Sequence, residues 1–147
     1  KQNREVPPLR YDIAVQLKKD FPDLEIILNG GIKTLDECRA HLQTFDGVML
    51  GREAYHNPYL LARVDRELFG SEAPVISRAQ ALRNMRPYIE RHLSDGGAMH
   101  HITRHVLGLG QGFPGARRFR QLLSVDIHKT SNALALLDQA VALLEGH

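Results

Sequence analysis

Two short segments place glycine and a polar partner at the end of an apolar run. Asn29, Gly30 and Gly31 close the stretch from Glu25 to Leu28, and Gly51 with Arg52 closes the stretch from Gly47 to Leu50. Glycine weakens regular structure, so its place directly after a strand means that the turn needs positive φ or that something comes very close to the backbone. If the two runs are neighbouring strands, four backbone N–H groups and one guanidinium surround a single small space. That donor set suits a phosphate, with N–H groups aimed at the anion and arginine adding a permanently charged, bidentate clamp. For either segment alone, a tight turn and a solvated arginine account for the same residues. Two such segments about 20 residues apart in consecutive units favour the phosphate site.

The elements that would position these turns alternate. Tyr11 to Phe21 carries apolar residues at Ile13, Ala14, Leu17 and Phe21, a helical spacing, and Pro22 ends it. A strand over Glu25 to Leu28 follows. Thr34 to Leu42 reads as a helix with Thr34 as N-cap, Glu37 in capping-box register, and Leu35, Cys38 and Leu42 on one face. A second strand, Gly47 to Leu50, leads to Asn57 and Pro58, which open a helix to about Leu68. Continuous apolar strands separated by helices predict a parallel sheet covered by helices.

Charge divides the chain differently. Lys1 to Ser77 holds 10 basic and 12 acidic side chains, Arg78 to Arg120 holds 8 basic and 2 acidic, and the rest holds 1 and 3. Four of the eight histidines also fall in the middle block. A second module is therefore expected from about Pro74. Ser77 caps a helix to about Leu93 with a stripe of Leu82, Met85, Ile89 and Leu93. Met99, Ile102, Val106 and Leu109 mark a second helix, Ala116, Phe119 and Leu123 a third, and Leu134, Leu137, Val141 and Leu144 a fourth. These segments predict a compact helical bundle.

His100, His101, Arg104 and His105 lie on the outward side of the second helix, and Arg117, Arg118 and Arg120 on the third. No carboxylate stands between Asp95 and Asp126. Such a surface suits a phosphate backbone, and a solvated basic face remains the alternative on charge alone. His101 and His105 have a metal-ligand spacing, but no third ligand accompanies them and no metal site is predicted. A single cysteine, Cys38, excludes an internal disulfide framework and fits a reducing compartment, the cytoplasm. No run of apolar residues is long enough to span a membrane, and neither a signal peptide nor an initial methionine is present. The chain is expected to be a piece of something longer.

The segments "NREVPPLRYD", "LNGGIKTLDECRAHL", "DGVMLGREAYHNPYLLARVDRELFG", "HHITRHVLGLGQGFPGARRFRQLL" and "HK" together resemble the carboxyl-terminal part of the A subfamily of tRNA-dihydrouridine synthases. The resemblance covers essentially the whole chain, in order. It implies an α/β segment followed by an all-α one: residues 1–73 as strands seven and eight of an FMN-binding (β/α)8 TIM barrel, and 74–147 as a helical tRNA-binding domain in the form of a four-helix bundle. It implies NADPH-dependent reduction of uridine in the tRNA D-loop, with Asn29, Gly30, Gly31, Gly51 and Arg52 holding the FMN phosphate. Arg117 and Arg120 match a helix against the tRNA backbone. Asn3 and Arg4 match the end of the loop after strand six, on the active-site rim, within reach of the tRNA.

The family's catalytic cysteine lies in the first half of the barrel, before this chain begins, so this segment alone is expected to be inactive. Cys38 falls in the apolar stripe of its helix and is expected to be structural. Two strands of a barrel leave unpaired edges, so residues 1 to 70 are expected to be poorly ordered, swapped between copies, or completed by the missing amino-terminal half. Two alternatives stay open on the sequence: another phosphate-binding barrel flavin enzyme, or a non-enzymatic RNA-binding helical module.

Overall fold

A computed structural model describes residues 8–145. Asn3 and Arg4 lie outside the described residues. The chain forms two compact units, Lys1–Glu53 and Ala54–His147.

In the first unit, α1 (Tyr11–Asp20), β1 (Ile27–Asn29), α2 (Leu35–His41) and β2 (Gly47–Met49) follow the alternation expected of the sequence. β1 and β2 pair in parallel, with Ile27 opposite Gly47, Leu28 opposite Val48 and Asn29 opposite Met49. β1 is shifted toward the turn, so Asn29 is the last strand residue rather than the first of the turn, and β2 starts at the expected Gly47 but ends one residue early at Met49. Thr34 and Glu37 form the predicted capping box: Thr34 Oγ1 accepts from the Glu37 N–H at 3.1 Å, and Glu37 Oε2 accepts from Thr34 and Lys33 N–H at 3.0 and 2.7 Å. Leu28, Ile32, Leu35, Cys38 and Phe45 are buried. Lys18 reaches from α1 to the Asp46 carboxylate at 2.7 Å, and the same carboxylate accepts the Ile26 N–H at 2.8 Å. This fixes the chain entering β1 against the start of β2.

The apolar stripe of α1 is not buried in the unit. Ile13, Leu17 and Phe21 are 57%, 44% and 53% exposed, and α1 has no buried residue. Ile27 and Met49, on the strands, are also about half exposed. A helix patterned for burial with its apolar face open leaves that face available for another element to cover.

The second unit is helical. The division falls within α3 (Arg52–His56), and a 3-10 turn (Pro58–Arg63) and α4 (Val64–Leu68) stand where one helix was expected. Asn57 makes no side-chain cap. Tyr59 ties this stretch to the helices that follow: its hydroxyl donates to the Ile76 carbonyl at 3.0 Å and the Arg78 guanidinium lies 4.1 Å from its ring centre. Packing thus places residues 54–73 with the helical unit, twenty residues ahead of the compositional boundary between 73 and 74.

The four expected helices are more broken than their periodicity implies. The first divides at Met85 into α5 (Arg78–Asn84) and α6 (Arg86–Ser94), since Pro87 supplies no N–H to continue the ladder. The second runs as the single turn α7 (His100–Thr103) and a 3-10 turn (Leu107–Gly110). Gly108, within that turn, has no room for a side chain: a Cβ there would lie 2.4 Å from the His56 carbonyl oxygen. α8 (Ala116–Ser124), a 3-10 turn (Asp126–His128) and α9 (Ala133–Glu145) complete the unit. Phe119, Leu82, Ile89, Leu123 and Leu137 are fully buried in one core, with Leu136, Ala140, Val141 and Leu144 from α9. Thr103, also fully buried, donates from Oγ1 to the Leu123 carbonyl at 3.0 Å and satisfies an end of α8 that no following turn covers.

Candidate functional site

The register of the parallel pair decides the geometry of the first candidate site. Because Asn29 lies opposite Met49, the turns that follow the two strands leave the same carboxyl edge of the sheet side by side. Neighbouring strands are about 4.8 Å apart. The turn that carries Gly30 and Gly31 and the turn that carries Gly51 and Arg52 therefore follow neighbouring strand ends.

The glycines are present for different reasons. Gly30 and Gly31 have φ of 128° and 68°, so both occupy conformations that a side chain strains. A Cβ at Gly31 would also lie 2.5 Å from Leu9 Cδ1. Tyr11 donates its hydroxyl to the Gly30 carbonyl, which turns the opposite side of that trans peptide, the Gly31 N–H, away from α1. Gly51 does not adopt positive φ, and a Cβ there would meet only Met49 Sδ at 3.9 Å. Neither conformation nor crowding by the chain requires glycine at 51. The N–H groups of Gly31 and Gly51 donate to no loop carbonyl or side chain among the described residues. Arg52 is exposed at the start of α3 and has no ion pair among the described residues.

The amino end of α2 is closed to an anion by contrast. The Lys33, Thr34 and Glu37 N–H groups are occupied by the capping box, and the Glu37 carboxylate already supplies negative charge there. Hydrogen bonds from the Lys33 and Thr34 N–H groups hold Glu37 below the usual carboxylate range. The open donors belong to the two glycine turns and Arg52. Asn29 is exposed at the end of β1. Cys38 is fully buried and burial pushes its thiol up, so it has neither the access nor the acidity of a proton donor to substrate.

The second candidate site lies in the helical unit. Arg117 and Arg120 are exposed on α8, three residues apart and so on one face. Among the described residues neither has an ion pair, whereas Arg118 is paired with Asp126 at 2.8 Å. Arg104 donates from Nε to His105 Nε2 at 3.0 Å. That bond leaves the proton of a neutral His105 on Nδ1, which lies 3.0 Å from the Tyr55 hydroxyl and donates to it. Nothing in the local pattern of the sequence pairs Tyr55 with His105. Nor does it gather His92, His100, His101 and His128, whose rings follow one another at 5.6, 4.3 and 4.7 Å. Among the described residues no three histidine, cysteine or carboxylate groups are arranged to hold a metal. No described helix is long and apolar enough to cross a membrane.

The family model of dihydrouridine synthase matches residues 1–144. The chain belongs to the dihydrouridine synthase family. It is 76% identical over 146 residues to the tRNA-dihydrouridine(20/20a) synthase of Pseudomonas putida, covering 99% of this chain and 44% of that protein. The protein of the same description from Pseudomonas aeruginosa is 75% identical over 146 residues with the same coverage. That from Vibrio cholerae is 55% identical over 142 residues, covering 97% of this chain and 43% of its own length. The chain thus spans less than half the length of the curated relatives it matches. A dihydrouridine synthase segment with one glycine-ended parallel pair and a helical unit accords with the partial α/β and helical organisation expected from the sequence.

Proposed function

We propose that this chain is the carboxyl-terminal part of a flavin-dependent tRNA-dihydrouridine synthase, in which Asn29, Gly30, Gly31, Gly51 and Arg52 seat the phosphate of FMN. The observation that carries this reading is the in-register parallel pair whose two glycine turns leave one edge, beside an arginine with no partner among the described residues. The space over Gly51 and the free N–H donors fit a phosphate, and the donor set is chemically that of a phosphate cradle. β1 and β2 are then strands seven and eight of a (β/α)8 barrel. The open apolar face of α1 and the exposed Ile27 and Met49 are surfaces for the barrel's other elements, supplied by the amino-terminal half. The described residues after 73 serve as the helical tRNA-binding domain, a four-helix bundle in which the second helix is interrupted.

Bound FMN supplies the hydride, taken from NADPH, that reduces the uracil ring. The residues of this chain hold and orient. Arg52 neutralises phosphate charge with a bidentate contact, and the Gly31 and Gly51 N–H groups fix the phosphate at the sheet edge. Tyr11 holds the Gly30 peptide in the orientation that aims its neighbour's N–H. Arg117 and Arg120 contact the tRNA backbone, and Asn3 and Arg4, outside the described residues, are proposed as further tRNA-binding residues. The acid that protonates the substrate comes from the upstream half, since Cys38 is buried in α2. The relatives are named as 20/20a synthases, and the same tRNA positions are proposed here. A cytoplasmic location follows from a tRNA substrate.

The experiment is a reconstitution. The full-length protein that contains this segment, with FMN, NADPH and an unmodified tRNA transcript, should form dihydrouridine at positions 20 and 20a, mapped by mass spectrometry of nuclease fragments. Absence of dihydrouridine from flavin-loaded protein would contradict the reading.

A further inference from the structure

Four histidine rings follow one another across the helical unit. His92 of α6 lies 5.6 Å from His101, His101 lies 4.3 Å from His100, and His100 lies 4.7 Å from His128. The ring of His92 packs on Gly97, and its Nε2 is buried without a hydrogen-bond partner. His100 is half-buried, while His101 and His128 are exposed. A neutral stack of imidazoles would need no special surroundings. These surroundings are cationic or able to become so. Arg104 follows from α7, and Lys129 follows His128. Asp126, in the same turn as His128, is taken up by Arg118 at 2.8 Å.

We propose that His100, His101 and His128, with Arg104, form a second phosphodiester site for RNA, one that takes up protons from solvent as it binds. Like charges this close disfavour one another, so adding protons to neighbouring rings is costly without a counter-charge beside them. Burial, joined by the charges of His101, His128 and Arg104, holds His100 below the usual imidazole range. A phosphodiester set against the rings supplies the missing negative charge and reverses that balance. Each ring can then donate from a protonated nitrogen to a phosphate oxygen. Arg104 spends Nε on His105 and keeps its terminal nitrogens for the same anion. The site thus differs in kind from Arg117 and Arg120, which are charged at every physiological pH. It also differs from His105, whose Nε2 is already taken up by Arg104.

The site rests on the reading of the helical unit as tRNA-binding, and the test keeps the two apart. A fluorescently labelled, unmodified tRNA transcript is titrated with the full-length protein at pH 6, 7 and 8 and constant ionic strength. Calorimetry in two buffers of different ionisation enthalpy counts the protons taken up. One proton taken up tightens binding by about tenfold per pH unit across the window between the free and bound pKa. Binding about ten- to a hundredfold tighter at pH 6 than at pH 8, with about one proton or more taken up, is expected. The variant His100→Gln, His101→Gln, His128→Gln should flatten the profile to within about twofold between pH 6 and pH 8 and abolish the proton uptake. Histidine proton resonances of wild-type protein supply a readout that needs no variant: those of the cluster should titrate at higher pH when tRNA is bound. Binding that is weakened by Arg117→Ala but shows no pH dependence and no proton uptake would overturn the cluster and leave the tRNA reading standing. No binding at any pH would overturn both.

Discussion

Substitution at Gly51 and at Gly31 separates what the fold needs from what a ligand needs. Gly31 has φ of 68°, and an added Cβ would lie 2.5 Å from Leu9 Cδ1. Gly31→Ala therefore costs about 1–2 kcal/mol for the left-handed backbone, plus the smaller cost of moving a flexible leucine end. Gly51 is free of both restraints: its φ is not positive and the nearest atom to a Cβ would be Met49 Sδ at 3.9 Å. Gly51→Ala should therefore leave stability unchanged or raise it by about 0.4–1 kcal/mol, since alanine restricts the unfolded chain. If a phosphate rests on the backbone there, the new methyl group occupies its seat. Losing one or two charge-assisted N–H contacts, at about 1.5 kcal/mol each, weakens FMN about ten- to a hundredfold. Both variants are made in the full-length protein; denaturant unfolding reads stability and flavin fluorescence at equilibrium reads affinity. Gly51→Ala that binds FMN as wild type does would refute the idea that an anion approaches this turn. A Gly31→Ala as stable as wild type would refute the strain assigned to the first turn.

Three further outcomes follow from the same geometry. Thr103→Val keeps the shape of a fully buried side chain but leaves the Leu123 carbonyl without its donor, so the helical unit should lose about 1–3 kcal/mol in denaturant unfolding, while Thr103→Ser retains the bond. Glu37 and Asp46 are both held below the usual carboxylate range, chiefly by backbone N–H donors, so their contribution is present above about pH 4 and is lost as pH falls through their folded values. Glu37→Gln with Asp46→Asn should flatten that acid dependence, followed by circular dichroism against pH. Arg117→Ala with Arg120→Ala should weaken tRNA binding and lower the slope of log affinity against log salt by about 0.7–0.9 per arginine removed, whatever the tRNA sequence.

Local chemistry made part of this structure legible. The Thr34 and Glu37 capping box, the two glycine-ended strands and the outward face of α8 each depend on spacing along one segment, and each is where the spacing places it. Pro87 is the local signal for the break between α5 and α6, although the stripe of Leu82, Met85, Ile89 and Leu93 runs across it. The need for glycine at 108 was not readable in this way, because it depends on the His56 carbonyl meeting it from about fifty residues away. The same limit hid Tyr55 beside His105 and His128 beside His100. Charge composition located a change near residue 74, but packing follows Tyr59 and Arg78, which join the preceding stretch to the helices. Helical periodicity identified α1, yet it could not tell that its stripe would face outward, since periodicity marks an apolar face and not what packs against it.

FMN affinity of Arg52→Ala in the full-length protein is the most direct measurement of the central claim. An exposed arginine with no ion pair among the described residues contributes little to the fold, so its truncation should leave the melting temperature within about 1 °C, in line with a surface change. If it clamps the phosphate, a lost charge-assisted contact of about 1.5–3 kcal/mol weakens FMN about ten- to a hundredfold, and Arg52→Lys recovers only part of it. Retention of FMN at wild-type affinity by Arg52→Ala would contradict the assignment of this sheet edge as the phosphate site.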